Sequence, residues 1–264
     1  LKIVNATQLD RGLAYAEACF ETFRVIDGAV FDWPGHWRRL SLGLSEFGLL
    51  LPAGYDEELL FACLRQAAAT APDALLRLTI SGGAAGWGLA NRAREPVAHI
   101  QCAAYAPNPA PQFLRLAEWP FPLRRKTAKF TADYSDTLRA MNGADDAQLL
   151  FAQQGRLLAA ATANILLYRN GAWHTPPAEA GVLPGRVRDY LLARGLVRET
   201  RCPLAWLKDC EAMAVCNSGL FIRPVALVDG CDQAQPPALR HAALDILRDA
   251  LKREDGVPMD INRW

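Results

Sequence analysis

The sequence predicts an α+β protein built as two lobes, and three observations carry that prediction. Extended and helical segments mix without a regular βαβ alternation, no internal repeat occurs, and a proline-rich stretch interrupts the chain before its midpoint. The 264 residues are 51% hydrophobic and 22% charged, a balance that suits a globular chain with at least one proper core.

The first lobe opens on a hairpin. Residues 20–25 are rich in strand formers, Asp27-Gly28 supplies the turn, and Val30-Phe31 resumes the extended pattern. After Pro34-Gly35, the spacing of Trp37, Leu40, Leu44 and Phe47 is helical. A second helix is predicted over residues 56–69, opened by acidic residues that suit a helix N-terminus. Residues 75–80 and 97–105 read as strands, separated by a glycine-rich loop at 82–88. Residues 106–111 carry three prolines and cannot hold regular structure, so the lobes are expected to divide into 1–107 and 108–264.

The second lobe begins with a strand at 113–117. Residues 126–134 lack clear periodicity, and a helix is expected to end near Asn142-Gly143. Residues 147–151, 156–160 and 164–168 are extended, and Asn170-Gly171 turns the chain into 173–175. Pro184 precedes a helical run through Val187, Tyr190 and Leu191 that Gly195 stops. Residues 212–216 and 224–228 read as strands, and 238–251 as an amphipathic closing helix.

Charge excludes some classes. Twenty-nine basic against 28 acidic residues leave +1, no footprint for nucleic acid. No apolar run approaches the ~20 residues that span a bilayer, and nothing at the start reads as a signal peptide. Seven cysteines without a CxxC, and four scattered histidines, encode no metal site; the cysteines read as buried thiols of a cytoplasmic protein. A hydrolase reading through Ser218 or Cys216 fails for want of a GxSxG elbow and a placed histidine. Pro184-Gly185 running into a helix at Arg186 and Val187 is more suggestive, because free backbone N–H groups at a helix start favour phosphate. Asn217-Ser218-Gly219 follows an apolar strand, which puts its polar groups at a strand end.

Taken in order, these pieces resemble the class IV aminotransferase-fold enzymes. The resemblance runs through Asp10-Arg11-Gly12-Leu13-Ala14-Tyr15, Cys19-Phe20-Glu21-Thr22-Phe23-Arg24-Val25 and His36-Trp37-Arg38-Arg39-Leu40. It continues through 155–164, 171–177, Gly181-Val182-Leu183-Pro184-Gly185 and 211–225, and among members it is most similar to aminodeoxychorismate lyase. It implies a D-amino acid aminotransferase-like fold with pyridoxal 5'-phosphate in a cleft between the lobes, an amino-acid-like substrate, and a homodimer. Lys126 matches the family's cofactor-carrying lysine by its place before a helix, which assigns that lysine to the second lobe. Lys129 is the second candidate, because Lys129 to Tyr134 repeats a Lys-x-x-x-x-Tyr spacing of branched-chain transaminases. Arg39 would hold the cofactor phosphate as a charge-assisted fork, and the backbone of Arg186 and Val187 with the Ser218 hydroxyl would complete the cradle.

Two positions depart from the family pattern. Ala159 stands where members carry a glutamate to the pyridine nitrogen, and Trp87 where lyase relatives tend to carry a substrate-carboxylate arginine. The expected function is lysis of 4-amino-4-deoxychorismate to 4-aminobenzoate and pyruvate in folate biosynthesis. The alternatives are a class IV transaminase of branched-chain or D-amino acids and a non-catalytic homologue that binds without turnover.

Overall fold

The computed structural model describes residues 8–251 apart from 72, 92–94, 107, 109, 145–147, 231–237, 239 and 240. Residues 107, 109, 147, 231, 239 and 240, which fall within the expectations above, thus lie outside the described residues. The architecture is α+β, and the chain divides into two compact units.

The first unit comprises Leu1–Tyr105 and Thr127–Ser135. Its elements are β1 (Leu9–Asp10), α1 (Arg11–Tyr15), β2 (Ala18–Ile26), β3 (Ala29–Val30), α2 (Trp33–Phe47), α3 (Glu57–Ala69), β4 (Ala74–Ser81), β5 (Ala84–Ala85) and β6 (Val97–Ala104). An antiparallel sheet in the order β3-β2-β4-β6 forms its floor, with Glu21 opposite Leu78 and Thr22 opposite Arg77. Phe23, Leu40, Leu44, Leu60, Leu64, Leu76, Leu78 and Ile80 pack between that sheet and the two long helices. Helix α2 starts earlier than the apolar spacing predicts. Asp32 caps it by accepting from the Gly35 N–H at 3.2 Å, with proline in its first turn, where a missing N–H costs nothing. Asp56 does the same for α3, accepting from Leu59 at 2.8 Å.

The segment 127–135 corrects the single cut at 107/108. It returns to the first unit because Ala128 and Phe130 insert into that core, while the Phe20 N–H donates to the Lys129 carbonyl at 3.0 Å. Lys126 and Lys129, three residues apart, therefore belong to different units. The pair β1–β5 and the short strand in the second unit at Val197–Glu199 were not expected, because elements of two or three residues carry no readable period.

The second unit comprises Ala106–Lys126 and Asp136–Trp264. It holds β7 (Gln112–Glu118), most of α4 (Tyr134–Met141), β8 (Gln148–Gln153), β9 (Arg156–Ala160), β10 (Asn164–Arg169), β11 (Ala172–Thr175), α5 (Arg186–Ala193), β12 (Val197–Glu199), β13 (Ala212–Asn217), β14 (Phe221–Asp229) and α6 (Ala242–Leu251). Eight strands pair in the order β12-β11-β10-β13-β14-β7-β8-β9, parallel at β12-β11, β14-β7 and β7-β8. One core cluster gathers Leu150, Leu157, Ile165, Leu167, Met213 and Val215. A smaller one gathers Leu149, Phe151, Leu158 and Val182, with Ala159 packed against it. Among the described residues no helix is long and apolar enough to cross a membrane, and no group of histidine, cysteine and carboxylate residues could hold a metal.

Candidate active site

Strand β2 alternates, so Cys19, Phe23 and Val25 send their side chains into the core, and Glu21 shares their parity. A carboxylate there has lost all contact with water, with 0% of its surface exposed. It survives because three donors meet it. Arg39 grips both oxygens, Nε to Oε1 and Nη2 to Oε2, each at 2.7 Å. His36 lies 2.7 Å from Oε2 through Nδ1. A carboxylate only accepts, so Nδ1 carries the hydrogen. His36 and Arg39 stand one helical turn apart on α2, which presents both to the strand. Burial by itself raises a carboxyl, but Arg39 and His36 outweigh it and hold Glu21 well below the usual carboxylate range. Burial lowers His36, against the pull of Glu21, and keeps the imidazole neutral.

Lys129 meets the residues on either side of Glu21 along β2. Its Nζ lies 3.5 Å from the Thr22 hydroxyl and 4.4 Å from the centre of the Phe20 ring. Arg77 covers the same ring at 3.7 Å, and Tyr134 stacks on it at 5.4 Å. Burial pushes the Lys129 amine down to about 8; Glu21 opposes the drop, and Arg39 and Arg77 add to it. Lys126, the lysine favoured by the sequence, is half-exposed, as is Lys129 taken as a whole residue, and they belong to different units. Lys129 shares the Phe20 ring with Tyr134, the residue five positions on in the Lys-x-x-x-x-Tyr spacing. Arg39 also differs from expectation: the Nε–Nη2 side of its fork holds Glu21 rather than facing an incoming anion.

The second unit collects its predicted residues at one end of the β10–β13 pair. Asn164 at the start of β10 pairs with Cys216 near the end of β13, two residues before Ser218. The Asn164 amide donates to the Leu183 carbonyl at 2.9 Å and so ties the turn ahead of Arg186 to the same place. Gly185 sits at the N-cap of α5, and no side chain caps the helix there, the end of a helix whose N–H groups favour an anion. A Cβ on Gly185 would stand 2.0 Å from the Asn164 Oδ1, so glycine is required by close approach. After β13, Asn217 Oδ1 accepts from Gly219 at 2.9 Å and Leu220 at 2.7 Å, shaping the turn that carries Ser218. The Arg186 guanidinium pairs with Asp189 at 3.2 Å. Ala159 brings no carboxylate and packs with Trp119, Phe151 and Leu158 in the smaller apolar cluster. Trp87 is 89% exposed in the glycine-rich loop of the first unit.

Sequence reasoning missed Arg77, and it named Phe20, Glu21, Thr22 and Tyr134 only as parts of motifs, without a role in the site. One signal was available: a charged residue at a core-facing register of an apolar strand requires buried partners. Taken by itself, each unit offers one feature that fits pyridoxal phosphate: in the first, an amine of lowered proton affinity that suits its aldehyde, and in the second, a helix start beside a serine turn that suits its phosphate.

Residues 18–228 match the family of class IV amino-transferases. No curated protein matches the sequence significantly. Among solved structures, the chain is similar to a candidate 4-amino-4-deoxychorismate lyase from Legionella pneumophila, with TM-score 0.78 and 23% identity over 96% of this chain and 97% of that one. It is similar to the branched-chain amino acid aminotransferase of Escherichia coli at TM-score 0.78 and 20% identity, over 96% and 90% of the two chains. Similarity to the 4-amino-4-deoxychorismate lyase of Pseudomonas aeruginosa has TM-score 0.72 and 20% identity, over 96% of each chain.

Proposed function

Because the chain belongs to the class IV amino-transferase family of pyridoxal-phosphate enzymes, we propose that it is a lyase splitting 4-amino-4-deoxychorismate into 4-aminobenzoate and pyruvate. The observation that carries this choice is Ala159, an apolar residue among apolar neighbours where family members place a carboxylate. When bound, the cofactor supplies an aldehyde for an amine and a ring that withdraws electrons. Without a carboxylate at 159 that ring stores electrons less well, which penalises amino transfer. Elimination is less exposed to the loss, because forming an aromatic ring drives it.

Lys129 has two tasks on this reading. Its amine would hold the cofactor by its aldehyde, and in the substrate complex it would remove the proton from the carbon bearing the amino group. The C–O bond to the enolpyruvyl group breaks, the ring becomes aromatic, and the proton is returned to the departing group, which leaves as pyruvate. A value of about 8 leaves about a tenth of the amine neutral near pH 7, against a few parts in ten thousand for an ordinary lysine. The family resemblance assigns the phosphate to the backbone N–H groups at Arg186 and Val187 with the Ser218 hydroxyl, and to Arg39. The same reading carries a cytoplasmic homodimer on the route to folate, and light scattering checks the dimer.

The test is turnover by the purified protein with pyridoxal phosphate. Release of pyruvate and fluorescent 4-aminobenzoate from 4-amino-4-deoxychorismate is expected. Rapid amino transfer from branched-chain or D-amino acids to 2-oxo acids, with no aromatic amine formed, would overturn the proposal in favour of a transaminase.

A further inference from the structure

Among the described residues of the first unit, four arginines are withdrawn from water, and one of them differs from the rest. Arg11, Arg24 and Arg39 are buried, and each meets a carboxylate, on Glu17, Asp73 and Glu21. A guanidinium removed from water requires such a partner, because it cannot shed its proton. Arg77 is partly buried, yet among the described residues it meets no carboxylate. Its Nε donates to the Thr79 hydroxyl at 3.2 Å, and its Cζ lies 3.7 Å from the centre of the Phe20 ring. A guanidinium resting on a ring face keeps its N–H bonds in its own plane. The two Nη groups of Arg77 therefore still have hydrogens to donate.

The strands around Arg77 explain why no acid reaches it. Along β4, Leu76, Leu78 and Ile80 fill the core, so Leu75, Arg77 and Thr79 take the other face. Directly opposed residues share a face, which gives two rows across β2, β4 and β6. One row is Thr22, Arg77 and Gln101, and the other is Phe20, Thr79 and His99. Neither row holds a carboxylate. Glu21 lies between Phe20 and Thr22 but faces the core, with Arg39 and His36. Lys129 brings a second cation to the rows. Its Nζ is 3.5 Å from the hydroxyl of Thr22, the residue paired with Arg77, and 4.4 Å from the centre of the Phe20 ring that Arg77 covers.

We propose that Arg77 is a substrate-binding residue, its Nη nitrogens gripping a carboxylate of the acid whose amino group is handled at Lys129. The inference rests on the proposed function, which supplies that acid, and it names the part of the acid that this sheet face recognises. An amine and a guanidinium on one aromatic ring suit a molecule that carries an amino group and a carboxylate. Both 4-amino-4-deoxychorismate and 4-aminobenzoate are such molecules. A two-point guanidinium–carboxylate pair is planar and directional, so it sets the orientation of the acid as well as its affinity.

The experiment is calorimetric titration of the cofactor-free protein with 4-aminobenzoate and with its uncharged match, 4-aminobenzamide. Wild-type protein is expected to bind the acid about 10- to 100-fold more tightly than the amide, the range for hydrogen bonds to a charged group. Arg77→Gln is expected to remove that preference and to leave the amide affinity within about twofold. A wild type without the preference overturns the proposal. So does an Arg77→Gln protein that keeps it, including one that loses acid and amide alike. Should Arg77→Gln fail to fold, wild-type protein decides alone: the acid, and not the amide, must slow modification of Arg77 by phenylglyoxal, read by peptide mass spectrometry. Equal rates with the two compounds overturn the proposal. Turnover of 4-amino-4-deoxychorismate keeps the two readings apart. A preference lost with Arg77, in a protein that releases no 4-aminobenzoate, would sink the proposed function and leave the carboxylate site standing. Turnover by a protein whose preference survives Arg77→Gln would do the reverse.

Discussion

The two units manage negative charge by different means. In the first, a carboxylate is buried against a charged guanidinium, Arg39, and a neutral imidazole, His36, so its partners are specific side chains. In the second, the anion-ready turn at Gly185 is made of backbone N–H groups, shaped by a glycine and an asparagine. Charge held by side chains depends on residue identity. Charge held by backbone depends on conformation, and tolerates any side chain that leaves the turn intact.

The sharpest way to break this contrast is at the lysine. Lys129→Ala is expected to abolish the visible band with pyridoxal phosphate and to lower turnover by about two to four powers of ten, while Lys126→Ala keeps both. Borohydride reduction followed by peptide mapping checks it, and a label on Lys126 would restore the assignment made from sequence.

Next comes the buried pair. Arg39→Ala leaves Glu21 without its two-point grip and is expected to cost about 3–5 kcal/mol in urea unfolding. The pH dependence has a definite sign. Glu21 is held below its unfolded value, so its stabilising contribution is complete above about pH 4.3 and is lost as pH falls toward the folded value. Arg39→Ala should therefore show a shallower loss of stability on acidification than wild type over that window.

A smaller effect is expected at Ala159. A carboxylate from Ala159→Glu would enter a cluster with Phe151 and Leu158, costing about 1–3 kcal/mol near neutral pH in thermal unfolding. Retained stability with faster exchange of the substrate Cα proton would instead place residue 159 against the cofactor ring.

The two mildest changes probe the backbone turn. Gly185→Ala would drive its Cβ onto the Asn164 side chain and cost about 1–2 kcal/mol of cofactor affinity, read by titration with pyridoxal phosphate. Arg186→Ala is expected to move that affinity by less than about 0.5 kcal/mol, because the contribution of residue 186 is its backbone N–H. A large loss at Arg186 would show that the second unit also relies on a side-chain charge.

Much was determined by the sequence alone. The strand formers of residues 20–25, the apolar spacing of Trp37, Leu40, Leu44 and Phe47, and the Asn170-Gly171 turn specify β2, α2 and the β10–β11 hairpin, because local propensity, periodicity and turn chemistry need no distant partner. The α+β class and the family followed from the order of such pieces. Only the tertiary structure decided where residues 127–135 belong, since that segment has no period and is placed by the burial of Ala128 and Phe130 in a core assembled from residues up to about a hundred positions earlier. That placement put two lysines three residues apart into different units. The tertiary structure also set the Arg39 fork on Glu21, because a carboxylate buried on β2 needs a charged partner.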